Sequence, residues 1–158
     1  LLEAFAKAAP NISQDLIIAG SGCEGEIKKM AYKIAELKLE NRVKFIGRAT
    51  GDRKDDLFRN ALAVIVSSRF ETFSFVALEA LSYGTPLVCF DIDGLKWIPD
   101  EYCQKIEAFD VEKLGQTIVK LSKEDKAWKS VVKGGRAYAE NFKWSEVINR
   151  YKKLIKAA

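Results

Sequence analysis

Two glutamates eight positions apart, Glu71 and Glu79, are the residues of this chain best suited to polar ligand chemistry. The apolar, β-branched run at 63–66 predicts a buried strand, and the pattern at 74–83 predicts a helix that Gly84 ends. Glu71 then lies in the loop that leaves the strand, and Glu79 lies about one turn into the helix. Two carboxylates at one sheet edge can accept hydrogen bonds from the paired hydroxyl groups of a sugar. Solvated surface positions are the alternative for both.

The start of the same helix could bind an anion. Parallel sheets bind ligands beyond the carboxyl ends of their strands, where a helix N-terminus offers unpaired amides and the positive end of its dipole. The amides of Ser74, Phe75 and Val76 stand at this N-terminus. A diphosphate could therefore bind there without a nearby lysine.

The elements that must position these residues alternate along the chain. Strands are predicted at 16–19, 43–46, 63–66, 87–90 and 103–106. Helices are predicted at 1–9, 27–37, 52–61, 74–83 and from 111 onward, with breaks at 134–135 and near 143. Asp52 is the expected N-cap of the third helix. This alternation predicts one α/β domain over residues 1–158, with a doubly wound, Rossmann-like parallel sheet covered on both faces.

Four loops that contain glycine or polar residues follow predicted strands, at 20–22, 47–48, 67–71 and 91–94. Because the carboxyl ends of parallel strands share one sheet edge, these loops should converge there, as in a nucleotide crevice. Glycines also stand at strand-to-helix turns in doubly wound domains in general. The convergence therefore predicts a site but does not identify its ligand.

Two segments in these loops suggest rival ligands. Residues 20–25 read G-S-G-C-E-G and match the dinucleotide-binding pattern, although Glu24 and Glu26 would put negative charge where a pyrophosphate should bind. The triplet D-I-D at 91–93 could hold a divalent metal, although a turn at Asp93 is the simpler interpretation. We therefore favour neither ligand.

Composition narrows the function further. The net charge of +4 comes from scattered basic residues, which suits an anionic ligand or lipid head groups but predicts no nucleic-acid partner. No apolar run is long enough to span a bilayer, and no signal peptide is visible. Three distant cysteines argue against disulfides and zinc and favour the reducing cytoplasm. The absence of histidine excludes Ser-His-Asp, Cys-His and H-E-x-x-H chemistry within this chain.

The segment 71–88, E-T-F-S-F-V-A-L-E-A-L-S-Y-G-T-P-L-V, resembles the E-x7-E signature of retaining glycosyltransferases that use nucleotide-sugar donors. These enzymes have two Rossmann-like domains (the GT-B type, glycosyl transferases group 1, family four), and the signature lies in the C-terminal, donor-binding domain. Further similarities follow in the expected order at 17–22 (I-I-A-G-S-G), 43–47 (V-K-F-I-G) and 142–145 (F-K-W-S).

The resemblance implies roles for individual residues. Glu71 would be the catalytic carboxylate and would contact hydroxyl groups of the donor sugar, whereas Glu79 would accept hydrogen bonds from the ribose. The first amides of the helix would hold the leaving diphosphate. Arg48, or less favourably Arg53, would border the base. The implied donor-binding residues are Glu71, Phe73, Ser74, Phe75, Val76, Glu79 and Arg48.

The implied reaction is transfer of a hexosyl group from a UDP-, GDP- or ADP-sugar to a glycan or lipid-linked acceptor. It would retain the anomeric configuration and need no metal or other cofactor. A nucleotide-sugar epimerase of the same architecture and a non-catalytic nucleotide- or dinucleotide-binding module are the alternatives.

The chain departs from the family pattern in several places. Ser74 stands where the family usually has glycine, and 91–93 stands where a glycine-rich loop is typical. The family's upstream cationic turn and its acceptor-binding domain have no counterpart in the sequence. We therefore expect a donor-binding fragment that requires the rest of the enzyme for catalysis.

The sequence also suggests how the last helix packs and where Trp97 lies. An apolar face recurs along 144–154, interleaved with lysines at 152, 153 and 156. Packing on the acceptor-binding domain is the favoured use of this face, with peripheral contact to a membrane as the alternative. Trp97 could line the site or pack in the core.

Overall fold

The structure, a computed structural model, describes residues 1–123 and 128–157. The strands in this part of the chain are β1 (Leu16–Ile18), β2 (Val43–Phe45), β3 (Val64–Val66), β4 (Leu87–Asp91) and β5 (Gln104–Glu107). The helices are α1 (Leu2–Ala8), α2 (Glu24–Glu36), α3 (Gly51–Asn60), α4 (Phe75–Tyr83), α5 (Val111–Lys123), α6 (Trp128–Ala139) and α7 (Trp144–Ala157).

The strands pair in parallel, in two separate sheets. β1 pairs with β2, with Leu16 opposite Val43 and Ile18 opposite Phe45. β4 lies between β3 and β5 in the other sheet. The predicted parallel α/β architecture is therefore confirmed. One continuous sheet is not observed, since β1 and β3 do not pair with each other in the described residues.

β4 is the centre of the three-stranded sheet and is buried on both faces. Leu87 and Cys89 pack in a core with residues of α3, α4 and α6. Val88 and Phe90 pack in a second core with residues of α1 and α5. Alternate residues of a strand point to opposite faces, so this pattern requires helices on both sides, as is usual for parallel sheets.

The two-stranded sheet is less completely covered. Leu16 and Ile18 pack with Val43 and with Phe5 of α1. Ile17, which points to the opposite face of β1, is 47% exposed. One face of this sheet is therefore buried, and the other is open.

Helix α1 contacts both sheets. Its Ala4 and Ala8 pack in the core of the three-stranded sheet, and its Phe5 packs in the core of the two-stranded sheet. A groove of about 960 Å³ separates the sheets and is lined by residues of α1, β1, α3 and β3. α1 is thus a structural link between the two halves across this groove.

Most predicted boundaries agree with the structure. Each strand overlaps its prediction, and the break near 143 is observed between a short 3-10 turn at 140–142 and α7. The predicted N-cap of α3 is wrong. Thr50 occupies that position, and Asp52 lies in the first turn, where a carboxylate still interacts favourably with the helix dipole.

The predicted break at 134–135 is also wrong, because α6 continues through both glycines. These glycines are required for close packing instead. A Cβ on Gly134 would lie 2.6 Å from a ring carbon of Tyr102, and a Cβ on Gly135 would lie 2.9 Å from a methyl carbon of Leu81. The side chain of any other residue would therefore push α6 away from its neighbours.

Candidate functional site

Ser74 ends the loop between β3 and α4 that carries the predicted site residues. It is buried and has a left-handed backbone with φ 62°, which residues other than glycine rarely adopt. Its carbonyl oxygen accepts hydrogen bonds from the amides of Ala77 and Leu78 at 3.1 and 3.2 Å. This sharp change of direction makes Ser74 the N-cap and starts α4 directly after the loop.

The start of α4 is open to solvent. By helix geometry, the amides of Phe75 and Val76 have no partner within the helix. The Ser74 side chain makes no capping hydrogen bond with them. Phe75 and Val76 are 73% and 49% exposed. An anion can therefore approach this N-terminus, where the amides and the helix dipole both favour negative charge.

Glu71 is held by two neighbours. The Ser68 hydroxyl donates a hydrogen bond to Oε1 of Glu71 at 2.7 Å. The backbone of Glu71 lies against Gly94, in the segment after β4, because a Cβ on Gly94 would come within 1.9 Å of the Glu71 carbonyl oxygen. The predicted loops after β3 and β4 therefore meet here, and this approach requires glycine at position 94.

An aromatic cluster fixes Phe73. Its ring stacks on Trp97 with centroids 4.5 Å apart, and Nε1 of Trp97 donates a hydrogen bond to the Phe73 carbonyl oxygen at 2.6 Å. The Tyr138 hydroxyl donates to the carbonyl oxygen of Trp97 at 2.8 Å, and Phe142 packs against both Phe73 and Trp97. Trp97 thus packs behind the loop and fixes the residue that precedes Ser74.

Glu79 makes an ion pair with Lys54 of α3. Nζ of Lys54 donates a hydrogen bond to Oε1 of Glu79 at 2.5 Å, and the two side chains are 35% and 34% exposed. This hydrogen bond raises the pKa of Lys54 above its ordinary value. The two carboxylates near the start of α4 therefore have different supports: Glu71 contacts the segment after β4, and Glu79 contacts α3.

The predicted arginines lie in and near the loop after β2. Arg48 is exposed there, and Nη2 of Arg53 donates a hydrogen bond to the carbonyl oxygen of Ile46 at 3.3 Å. The amide of Gly20 donates to the carbonyl oxygen of Gly47 at 3.0 Å, so the loops after β1 and β2 are joined. In the described residues, no hydrogen bond or ion pair links Arg48 to the carboxylates near α4.

The two rival motifs make other contacts. At the start of α2, where a dinucleotide would place its pyrophosphate, the Glu26 carboxylate accepts a hydrogen bond from the Cys23 amide at 3.4 Å. Asp93 pairs with Lys96 at 2.6 Å, and this hydrogen bond lowers the pKa of Asp93. Over residues 1–123 and 128–157, no group of three acidic or cysteine side chains is arranged to hold a metal ion.

Three residues that shape the site were missed as site residues. Lys54 is 25 positions from Glu79, so no local periodicity connects them. Gly94 has no local signal for a site residue, because its approach to Glu71 depends on how two loops pack. Ser68 lies in the loop predicted at 67–71, but its hydrogen bond to the Glu71 carboxylate depends on how that loop folds.

Helix α7 has an exposed apolar face. Trp144, Tyr151, Leu154 and Ile155 are all well exposed, as the apolar residues of a helix without a partner would be. Its packing on another domain therefore stays a prediction. Among residues 1–123 and 128–157, no helix combines the length and the hydropathy of a membrane span.

Curated relatives of this chain are larger glycosyltransferases. The chain is 33% identical over 162 residues to poly(glycerol-phosphate) alpha-glucosyltransferase of Bacillus subtilis, covering 94% of this chain and 23% of that protein. It is 29% identical over 147 residues to D-inositol 3-phosphate glycosyltransferase of Salinispora tropica, covering 88% of this chain and 30% of that protein. The chain thus spans less than a third of the length of either relative.

Solved structures show the same fold. A glycosyltransferase from Rickettsia africae superimposes with a TM-score of 0.88 at 19% identity, covering 99% of this chain and 43% of that chain. Alr3699/HepE of Anabaena in complex with UDP superimposes with a TM-score of 0.86 at 22% identity, covering 100% and 44% of the two chains. These similarities confirm the predicted Rossmann-like α/β fold.

The sequence model of the family described as Glycosyl transferases group 1 matches residues 1–138. This match covers most of the chain, includes the segment from Glu71 to Glu79, and agrees with the resemblance that this segment suggested. The chain therefore belongs to the glycosyl transferases group 1 family.

Proposed function

We propose that this chain is the donor-binding domain of a retaining, metal-independent glycosyltransferase that transfers a hexosyl group from a nucleoside diphosphate sugar to a glycan or lipid-linked acceptor. One observation carries the proposal: the start of α4 is open, with Glu71 fixed by Ser68 before it and Glu79 fixed by Lys54 after it. Acceptor binding and the complete reaction would require a longer protein, as in the relatives.

The diphosphate of the donor would bind at the start of α4. The free amides of Phe75 and Val76 can donate hydrogen bonds to its oxygens. As the glycosidic bond breaks, negative charge develops on the leaving diphosphate, and these fixed dipoles stabilise it without a metal. Ser74 can donate its amide as glycine would, although its Cβ narrows the approach.

The two glutamates would bind the two sugars of the donor. Glu71 would accept hydrogen bonds from hydroxyl groups of the transferred hexose and act as the catalytic carboxylate, since it would contact the reacting sugar. Glu79 would accept hydrogen bonds from the ribose hydroxyl groups, which are neutral donors suited to a carboxylate. Phe73 would line the turn between these two subsites.

We propose uracil as the base of the donor. Alr3699/HepE of Anabaena has been solved in complex with UDP and with UDP-glucose, and the Bacillus subtilis relative is an alpha-glucosyltransferase. Arg48 or Arg53 would border the uracil ring. GDP- and ADP-sugars remain as the competing donors to be tested.

The exposed apolar face of α7 would pack on the acceptor-binding domain of the longer protein. Leu154 and Ile155 would supply apolar contact area, and the lysines beside them would remain at the rim. We propose that the enzyme acts in the cytoplasm, and peripheral contact of α7 with a membrane is the alternative use of the same face.

Titration of the ¹⁵N-labelled chain by heteronuclear NMR tests the proposal. UDP, GDP, ADP and NADPH would be added separately. We expect saturable shifts centred on residues 71–79 with a nucleoside diphosphate. Shifts confined to residues 20–25 with NADPH, and no response to any diphosphate, would overturn the proposal in favour of a dinucleotide-binding module.

A matched pair of variants identifies the site. Glu79→Gln keeps the shape of the side chain but replaces the carboxylate that would accept hydrogen bonds from the ribose, and should therefore weaken binding of the nucleoside diphosphate. Glu24→Gln makes the same change at the exposed start of α2 and should leave the affinity unchanged. Equal losses in the two variants would contradict the placement of the ligand at α4.

A further inference from the structure

Lys54 approaches Glu79 from a neighbouring helix. The two residues are separated by 25 positions, and Nζ of Lys54 lies 2.5 Å from Oε1 of Glu79. Both side chains are half-buried, so their ion pair is less screened by solvent than one on the open surface. A lysine ammonium has three donors, whereas a carboxylate has two oxygens and about four acceptor sites. The pair therefore occupies one oxygen of Glu79 and leaves acceptor capacity on the other.

Contacts one turn further along fix α3 against α4. The Tyr83 hydroxyl donates a hydrogen bond to Oδ1 of Asp55 at 2.5 Å, and the Tyr83 ring stacks on Phe58 at a centroid distance of 5.1 Å. The Thr85 hydroxyl donates to the carbonyl oxygen of Phe58 at 2.6 Å. Because these contacts hold the backbone of α3 in place, the Lys54 side chain stays within hydrogen-bond reach of Glu79.

We propose that Lys54 is a positioning residue for ribose recognition. It holds Oε1 of Glu79 and thereby directs Oε2 toward the ribose hydroxyl groups of the donor. This inference rests on the proposed function, because it assigns the ribose to Glu79. Lys54 itself need not touch the nucleotide.

The same ion pair has an electrostatic consequence at the start of α4. Glu79 lies about one turn from the amides that would bind the diphosphate, so an isolated carboxylate there would repel that anion. Lys54 makes the pair neutral overall. Removal of the lysine charge should therefore weaken diphosphate binding in two ways, through loss of carboxylate orientation and through repulsion.

The experiment compares two ligands by isothermal titration calorimetry. The first ligand is the diphosphate that binds most tightly among UDP, GDP and ADP, and the second is its 2′,3′-dideoxy form, which lacks both ribose hydroxyl groups. The affinity ratio of the two ligands reports ribose recognition, because repulsion of the diphosphate affects both ligands alike. A general loss of folding would lower both affinities without a selective effect on the ratio.

Four variants complete the design. Lys54→Met removes the charge and keeps the length of the side chain, and Lys54→Arg restores a charged donor. Glu79→Gln removes the carboxylate. Tyr83→Phe is the control for packing between the helices: it breaks the hydrogen bond to Asp55, whereas the ring stacking on Phe58 and the Thr85 hydrogen bond still hold α3 and leave the ion pair in place.

We expect the wild-type chain to prefer the ribonucleotide about tenfold, the size of effect expected for hydrogen bonds to a charged acceptor. The preference should fall below about threefold in Lys54→Met and in Glu79→Gln. It should stay within about twofold of the wild-type value in Lys54→Arg and Tyr83→Phe.

Each contrary outcome has a distinct meaning. An unchanged preference in Lys54→Met would overturn the positioning role and leave the proposed function intact. Equal loss of the preference in Tyr83→Phe would also overturn it, because helix packing would then explain the effect. Absence of binding of every diphosphate to the wild-type chain would overturn the proposed function itself.

Discussion

The three-stranded sheet and the two-stranded sheet are built from similar sequences but are covered very differently. β3 reads V-I-V and β1 reads L-I-I, and both would be expected to be buried on two faces. The larger sheet has helices on both sides, and the central residues of β4 are almost inaccessible to solvent. The smaller sheet exposes Ile17. An apolar strand sequence therefore predicts a strand, whereas its burial depends on the helices that pack on it.

This difference bears on function because the candidate site belongs to the better-packed half. The loop with Glu71 leaves β3, and Gly94 and Trp97, which support it, follow β4. A rigid support is what a site needs to hold carboxylates in place.

Truncation of one apolar strand residue in each half should give the largest contrast. Leu87 is fully buried in β4, so Leu87→Ala should lower the free energy of unfolding by about 2–5 kcal/mol. Ile17 is half exposed in β1, so Ile17→Ala should cost less than about 1 kcal/mol. Urea denaturation measures both values. Equal losses would show that β1 is as fully packed as β4 in solution.

Replacement of one glycine by alanine in each half should change the stability of the chain in opposite directions. Gly94→Ala would force the backbone of Glu71 away and cost about 1–3 kcal/mol of stability, and diphosphate binding should fall with it. Gly25→Ala, in α2, meets no atom within 4 Å and should stabilise the chain by about 0.5–1 kcal/mol. Thermal unfolding and calorimetric titration provide the two readouts. A neutral Gly94→Ala would contradict the close contact between the two loops.

Two left-handed residues allow a subtler comparison. Ser74 has φ 62° and Lys38 has φ 55°, and glycine adopts either conformation without a steric penalty. Ser74→Gly and Lys38→Gly should each raise the free energy of unfolding by at most about 1 kcal/mol. Diphosphate affinity should rise in Ser74→Gly alone, because loss of its Cβ opens the approach to α4. An equal rise in diphosphate affinity in Lys38→Gly would show that the Cβ of Ser74 does not border the ligand.

The smallest expected effect concerns alkaline pH. The hydrogen bond to Glu79 raises the pKa of Lys54 above its ordinary 10.5, so the ion pair is fully formed below that pH and is lost as pH rises through the higher, folded-state pKa. The ribonucleotide preference should therefore be constant from about pH 7 to 9 and decline above about 10.5. Lys54→Arg should keep its preference there, because arginine remains charged. A decline between pH 7 and 9 would contradict the assignment.

Local sequence patterns were sufficient to predict the elements and their order. Short β-branched runs identified the strands, and the glycine at 84 correctly marked the end of α4, where it is left-handed. The same patterns correctly placed residues 74–76 at the start of α4, because a strand, a polar loop and a helix follow one another within twenty positions. These signals are local, so they can be read without knowledge of tertiary packing.

Long-range packing explains what the sequence did not predict. The Lys54–Glu79 pair joins two helices, and the contact of Gly94 with Glu71 joins two loops. Gly134 and Gly135 looked like a helix break because the side chain that packs on Gly134, Tyr102, is 32 positions away. Whether β1 pairs with β3 depends on how the strands assemble, and neither strand sequence predicts that they lie in separate sheets.

The stacking of Trp97 on Phe73 has a practical consequence. The chain contains three tryptophans. Replacement of Trp128 and Trp144 by phenylalanine would leave Trp97 as the single indole, in contact with Phe73, the residue before the N-cap of α4. Its fluorescence would then respond to any ordering of the loop below it. The aromatic packing that supports this turn thus also allows ligand binding at the start of α4 to be followed by intrinsic tryptophan fluorescence, without isotopes or added dyes.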